Sequence, residues 1–199
     1  MKIYTRNGDK GETGLLGAIR VSKSHLVVET CGNVDELNSH LGCVVVHLRQ
    51  HSDAADSPDT ILDVLVRIQS ELFDLGSRIA AAMATDSKIN PADEDNECIA
   101  RLESWIDQFD SQLPPLTNFI LPGGSSAGSQ LHLARTVCRR AERRLVSLIE
   151  FGIERDLTAD LIYLNRLSDL LFVLARLANQ LDGCEETAWV ATRNKQKDD

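Results

Sequence analysis

Six aliphatic residues, Ile61, Leu65, Ile68, Leu72, Leu75 and Ile79, recur at alternating steps of four and three along one stretch of the chain. That spacing lays a single apolar stripe down a helix and scatters over both faces of a strand. Such a helix is marginal alone in water and must bury its stripe against partners. Matching stripes follow elsewhere. They are Val34, Leu37, Leu41, Val44 and Leu48; then Leu131, Ala134, Cys138, Ala141, Leu145 and Leu148; then Leu161, Leu164, Leu167, Leu171, Leu174 and Ala178. A shorter helix is predicted over Glu94–Ser111, ending before Pro114-Pro115. Aromatic residues make up only 5% of the chain, so the core is built from Leu, Val, Ile and Ala, which suits packed helices. The expected fold is all-α, a five-helix up-and-down bundle.

The punctuation is read from caps and loops. Residues 1–24 carry Gly8, Gly11, Gly14 and Gly17, four of only 12 glycines, without periodicity, and are expected to be loop. The first helix starts either at Asn33, with Glu36 completing a capping box, or near Ser24 with Gly32 inside it. Residues 52–59 and 85–96 are expected to be polar, acidic loops, and Ser125 or Ser126 to cap the fourth helix. No linker divides the chain, so residues 1–193 are expected to form one domain, with a charged frayed tail over 194–199.

Net charge excludes one broad class. With 21 basic and 30 acidic residues the chain carries −9, against the basic footprint of a nucleic-acid binder. No apolar run approaches the roughly 18 residues of a membrane span, and the start resembles neither a signal nor a transit peptide. The five cysteines are odd in number and lack a C-x-x-C pair, which points to buried free thiols in a reducing cytoplasm. The histidines show no metal-ligand spacing, and no metal is assigned to protein side chains.

Four stretches carry candidate chemistry. Thr5-Arg6-Asn7-Gly8-Asp9-Lys10-Gly11-Glu12-Thr13-Gly14 has the glycines, hydroxyls and cations of a phosphate nest, although it is not a Walker loop; a solvated loop is the alternative. Arg135 through Arg144 holds five of the 21 basic residues in ten positions. There Arg135, Arg139 and Glu142 share a stripe distinct from the core seam. Forked guanidiniums suit a triphosphate, and Glu142 would orient them or bind a ribose hydroxyl. A solvated face with i, i+4 ion pairs is the alternative. Asn118-Phe119-Ile120-Leu121-Pro122-Gly123-Gly124 places apolar groups before a rigid turn, and would on composition plug the bundle end. Asn165, one turn from Asp169, is unfavourable in mid-helix and invites a reason, the plain one being a buried hydrogen bond.

Taken in order, these stretches resemble the trimeric ATP:cob(I)alamin adenosyltransferases of the propanediol-utilisation type. The resemblance runs from Lys2 to about Arg176. It is carried by Tyr4-Thr5-Arg6, Gly8-Asp9-Lys10-Gly11, Val34-Asp35-Glu36-Leu37-Asn38, Phe119 to Gly124, Ala134 to Arg144, and Tyr163 to Arg176. It implies a homotrimer with active sites between subunits, ATP and cob(I)alamin as substrates, and Mg2+ held mainly by the phosphates and water. ATP is implied to lie against Thr5, Arg6, Asn7, Gly8, Thr13, Gly14 and Lys23, with Arg139, Arg140, Glu142, Arg143 and Asn165 completing the site. Arg135 and Asp35 are implied to pair across the interface. Phe119 is implied to displace the lower axial ligand of cobalt, with Ile120 and Leu121 keeping that face dry.

The implied reaction is attack of Co(I) on the 5′ carbon of ATP, releasing triphosphate and forming adenosylcobalamin. A reductase and an adenosylcobalamin-dependent acceptor enzyme are implied as partners. The sequence departs from the family at Asn7, which stands for a usual Thr, and at Cys31-Gly32-Asn33, which replaces aromatic-Gly-Thr. A rival reading is a nucleotide-binding regulatory bundle without turnover; Phe119 distinguishes the two, because an ATP sensor has no use for an aromatic group beneath a corrin.

Overall fold

The computed structural model describes residues 2–16, 19–51, 60–84 and 92–191. The acidic stretch 52–59, most of the second one and the tail 194–199 lie outside them. The elements are β1 (Glu12–Gly14), β2 (Arg20–Ser22), α1 (Leu26–His51), α2 (Ile61–Ala80), α3 (Ala92–Asp110), α4 (Ser126–Glu150) and α5 (Thr158–Leu181).

Every stripe read from the sequence faces inward. Leu65, Ile68, Leu75, Leu131, Ala134, Cys138, Leu145, Leu164, Leu171 and Leu174 are fully buried. Packing does not simply follow chain order: α1 lies against α2 and α4, α4 against α5, and α5 against α3. The order across the bundle is α2, α1, α4, α5, α3, and the burial of α5 extends beyond one stripe from Leu170 to Asn179. Polar ties set the register of the outer helices. Glu71 of α2 accepts from Arg67 (3.2 Å), from Arg101 of α3 and from the Tyr163 hydroxyl of α5 (2.8 Å). Arg78 pairs with the buried Asp160 at 2.7 Å. Removing one member of such a pair strands a charge and costs about 3–5 kcal/mol.

Local details refine the expectation at the N-terminus, at the start of α1 and at the start of α3. The glycine-rich N-terminus is not all loop. Glu12–Gly14 pairs antiparallel with Arg20–Ser22, because Thr13 and Val21 face one another as partners in a short hairpin. Of the two starts offered for the first helix, the structure has the one near Ser24: α1 begins at Leu26 with Gly32 inside it, so Asn33 forms no capping box with Glu36. Helix α3 starts at Ala92, inside the stretch expected to be loop. The two well-defined N-caps fit the usual chemistry. The Ser125 hydroxyl accepts from Gly128 N at 3.0 Å, and the Thr60 hydroxyl accepts from Asp63 N at 3.2 Å.

The turn before α4 is locked by Asn179 of α5. Its amide accepts from Ser125 N (2.8 Å) and donates to the Gly123 carbonyl (3.0 Å). Gly124 takes φ +104°, open to glycine at little cost. A Cβ on Gly128 would collide with the Asn179 amide and press on the Ala175 carbonyl at 3.1 Å. Gly128→Ala is therefore expected to destabilise the fold by about 1–3 kcal/mol despite its better helix propensity, which urea unfolding would measure.

Candidate active site

The arginine cluster of α4 divides into two sets with different surroundings. Arg140 is drawn to α1: its Nε donates to Asn33 Oδ1 at 2.7 Å, and an Nη2 group pairs with Glu36. Arg144 reaches Glu29 at 3.6 Å. The residues read as a cap thus act as a clamp on Arg140. Arg135, Arg139 and Arg143 follow the other row, four residues apart. Among the described residues none of the three has an ion pair or a side-chain hydrogen bond, and Arg135 Nε is buried without a partner. Burial and the adjacent Arg139 lower the basicity of Arg135, while its guanidinium lies 6.0 Å from the Phe172 ring. Like charges one turn apart repel. The expectation of i, i+4 ion pairs along this face is therefore not met.

Glu142 is held beside this row. Asn165 of α5 donates to its Oε1 at 2.9 Å, and Asn165 is exposed, so the reason for a mid-helix asparagine is an interhelical bond at the surface. Glu142 keeps lone pairs for a further donor.

The N-terminal loop is tied within itself by hydrogen bonds, while Leu15 packs on the core. Gly11 N donates to Gly8 O at 3.2 Å, Lys23 N to Gly11 O at 2.8 Å, and Arg20 to Asn7 O at 2.9 Å. Lys23 Nζ lies against Gly8, where an added Cβ would come within 3.1 Å. Arg6 has φ 61°, the one left-handed non-glycine among the described residues, and its guanidinium lies 5.5 Å from the Tyr4 ring. Thr5, Asn7 and Gly14 are exposed, with Thr13 half-buried. No hydrogen bond or ion pair among the described residues joins this loop to Arg139, Arg140, Glu142 or Arg143. Nor does Arg135 meet Asp35, which is exposed on α1. A cavity of about 300 Å3 lined by His47, Ile61, Ala127 and Ala178 includes none of these groups.

Phe119 stands on the loop before α4, 79% exposed, beside exposed Leu121 and half-buried Ile120. It does not plug the bundle end. The segment after α5 lies along it: Leu121 N donates to Thr187 O (2.8 Å) and Trp189 N to Phe119 O (2.6 Å). The Trp189 and Phe119 rings meet edge to face with centroids 6.4 Å apart. The sequence reading missed Trp189 because it lies beyond the last apolar stripe, where periodicity gives no signal.

His132 carries no more signal in the sequence, being a histidine without ligand spacing. It is 3% exposed, both ring nitrogens lack partners, and Phe172 is its aromatic neighbour at 5.9 Å. Burial and then Arg135 lower its pKa below the usual imidazole range, with Glu186 opposing. The folded protein therefore holds it neutral. As pH falls below about 6.5 the unfolded chain binds the proton first, so stability falls with pH. In melts between pH 7.5 and 5, His132→Phe is expected to show a shallower loss of Tm than the parent. An unchanged slope would assign the acid sensitivity to other groups.

All five cysteines are free, but only Cys138 is buried; Cys43 is exposed and the others are half-buried. Burial raises the Cys31 thiol to about 11. Among the described residues no cluster of His, Cys, Asp and Glu is placed to hold a metal, and no helix is long and apolar enough to cross a membrane.

One helical bundle thus carries a cation row without partners among the described residues, a glycine-rich turn and an exposed aromatic loop. The cobalamin adenosyltransferase family profile matches residues 3–178, and the chain belongs to that family. A cobalamin adenosyltransferase of Cupriavidus metallidurans is 42% identical over 193 residues, covering 96% of both chains. A corrinoid adenosyltransferase of Bacillus subtilis is 44% identical, covering 92% of this chain and 89% of that one. The structure of a variant PduO-type ATP:corrinoid adenosyltransferase from Lactobacillus reuteri, complexed with cobalamin and ATP, superposes with a TM-score of 0.84 at 35% identity. It covers 96% of this chain and 100% of that one.

Proposed function

We infer that this protein transfers the 5′-deoxyadenosyl group of ATP to the cobalt of cob(I)alamin, forming adenosylcobalamin and releasing triphosphate. Family membership supports the reaction. The observation that carries the site is the row Arg135, Arg139 and Arg143, three cations with no carboxylate partner among the described residues. A polyanion supplies what that row lacks.

In the reaction the cobalt lone pair attacks C5′, the C5′–O bond breaks, and its electrons leave on triphosphate. Co(I) is a strong nucleophile and needs no general base. The protein's work is alignment, charge stabilisation of the leaving group and exclusion of water. Arg139 and Arg143 would meet the phosphates from one side, and Thr5, Arg6, Asn7, Gly8, Thr13, Gly14 and Lys23 from the other. Arg140 is committed to α1 by Asn33 and Glu36, so its part would be to steady α4 while contributing field. Glu142, already oriented by Asn165, would accept from the ribose. Mg2+ would be held by phosphate oxygens and water. Phe119, with Ile120 and Leu121, would lie beneath the corrin, displace its lower ligand and lower the energy at which Co(II) accepts an electron.

Within one copy no hydrogen bond or ion pair among the described residues joins the loop to the α4 row, and the reading is that the two meet between copies of the chain. A homotrimer would bring them together, with Asp35 of one copy pairing the half-buried Arg135 of the next. The unit is read as a single domain over residues 1–193, with 1–24 as its nucleotide-binding loop. Its five free cysteines favour a cytoplasmic setting, where a reductase would supply Co(I) and an adenosylcobalamin-dependent enzyme would take the product.

The test is to mix the protein anaerobically with ATP, Mg2+ and chemically reduced cobalamin and follow the visible spectrum. Light-sensitive adenosylcobalamin is expected to form. ATP binding without conversion would instead support a regulatory bundle. Mass determination in solution checks the trimer independently.

A further inference from the structure

We propose that Arg176 is a positioning residue for Phe119, acting through the segment that follows α5. The proposal rests on the reading that Phe119 faces the corrinoid.

Arg176 is an arginine with its side chain only 3% exposed. Burying a guanidinium is costly unless its donors are met. Here they are met by three elements. Nε donates to Glu186 at 2.8 Å, Nη2 donates to the Pro114 carbonyl at 2.9 Å, and Nη1 lies 3.7 Å from Asp110 at the end of α3. Pro114 opens the loop that carries Phe119. Glu186 immediately precedes Thr187, Ala188 and Trp189, the residues that pair with Leu121, Ile120 and Phe119. One buried cation therefore grips the near end of the Phe119 loop and the strand-like segment laid against its tip. Asn179, one turn further along α5, holds the far end at Gly123 and Ser125.

Phe119 gains little support from the core, being largely exposed. Its backbone position depends on the Trp189 N–H bond and on the bridge at Ile120. Releasing Glu186 frees that segment without removing any group that would touch substrate. A displacement near 1 Å at a reacting centre costs up to about 100-fold in rate.

The experiment uses the full chain with ATP and cob(II)alamin, reading by electron paramagnetic resonance the fraction of bound cobalt that lacks a lower ligand. Arg176→Gln is expected to lower that fraction and the turnover from cob(II)alamin by roughly tenfold, with ATP affinity within about twofold of the parent. Glu186→Gln is expected to act in the same direction. The double variant should be no worse than Arg176→Gln alone, because both cut one link. Arg176→Lys keeps the charge without the fork and should restore only part of the signal. If Arg176→Gln does not fold, Glu186→Gln decides. Folded variants with an unchanged four-coordinate fraction would overturn the proposal. Phe119→Ala runs alongside as the control on the underlying reading. If that variant also keeps the signal, the role given to Phe119 is at fault rather than the link through Arg176.

Discussion

Arg139→Ala is expected to lower kcat/KM for ATP by about 10²–10³-fold while leaving the fold at least as stable as before. The activity loss is the size found when one preorganised donor to a developing anion is removed. The stability result follows from the surroundings. Arg139 is exposed, makes no ion pair among the described residues, and sits one turn from both Arg135 and Arg143. Deleting it relieves repulsion worth a few tenths of a kcal/mol. Arg139→Lys should fall between the two, since an ammonium keeps the charge but cannot bind two oxygens at once. Steady-state kinetics beside urea unfolding separates the effects. A loss of stability matching the loss of activity would mean that Arg139 is a structural residue and that the triphosphate lies elsewhere.

Phe119→Ala is expected to divide the reaction by the redox state in which cobalt is supplied. Starting from cob(II)alamin and a reductant, the rate should fall roughly 100-fold, equivalent to about 2.7 kcal/mol on the barrier. Starting from cob(I)alamin made beforehand, the fall should be near tenfold at most, because the reduction that Phe119 assists is already complete. At 79% exposure the side chain contributes little to the core, and stability should change by less than about 0.5 kcal/mol. Equal losses from both starting states would confine Phe119 to corrinoid docking and remove it from the reduction step.

What could be read in the residues was whatever repeats or condenses locally. The stripes of α1, α2, α4 and α5 are buried as their periods required, because a side chain's direction on a helix follows from its position in the chain. The Ser125 cap, the arginine row and the glycine turn are equally local. Asn33 and Glu36 show the limit. Their spacing is that of a capping box, and at a helix start it would have been one. Here α1 continues upstream to Leu26, which leaves both side chains free to clamp Arg140 on another helix.

The site depends on contacts far apart in sequence. Asn165 was flagged by its poor propensity, but its partner Glu142 is 23 residues away and neither residue's local context points to the other. Arg176 ended a matched motif and looked like one more polar residue in a leucine-rich helix. Only folding brings Pro114 and Glu186 to its guanidinium. The sequence by itself determined the helices, their buried faces and the residues chemically suited to a phosphate. The tertiary structure decided which arginines are neutralised internally and which stay open, and it brought Trp189 to Phe119. The physical reason is that helix formation and face choice are decided within a turn or two of chain. Charge pairing and loop anchoring depend instead on which helices become neighbours, a choice made by the packing of the whole core.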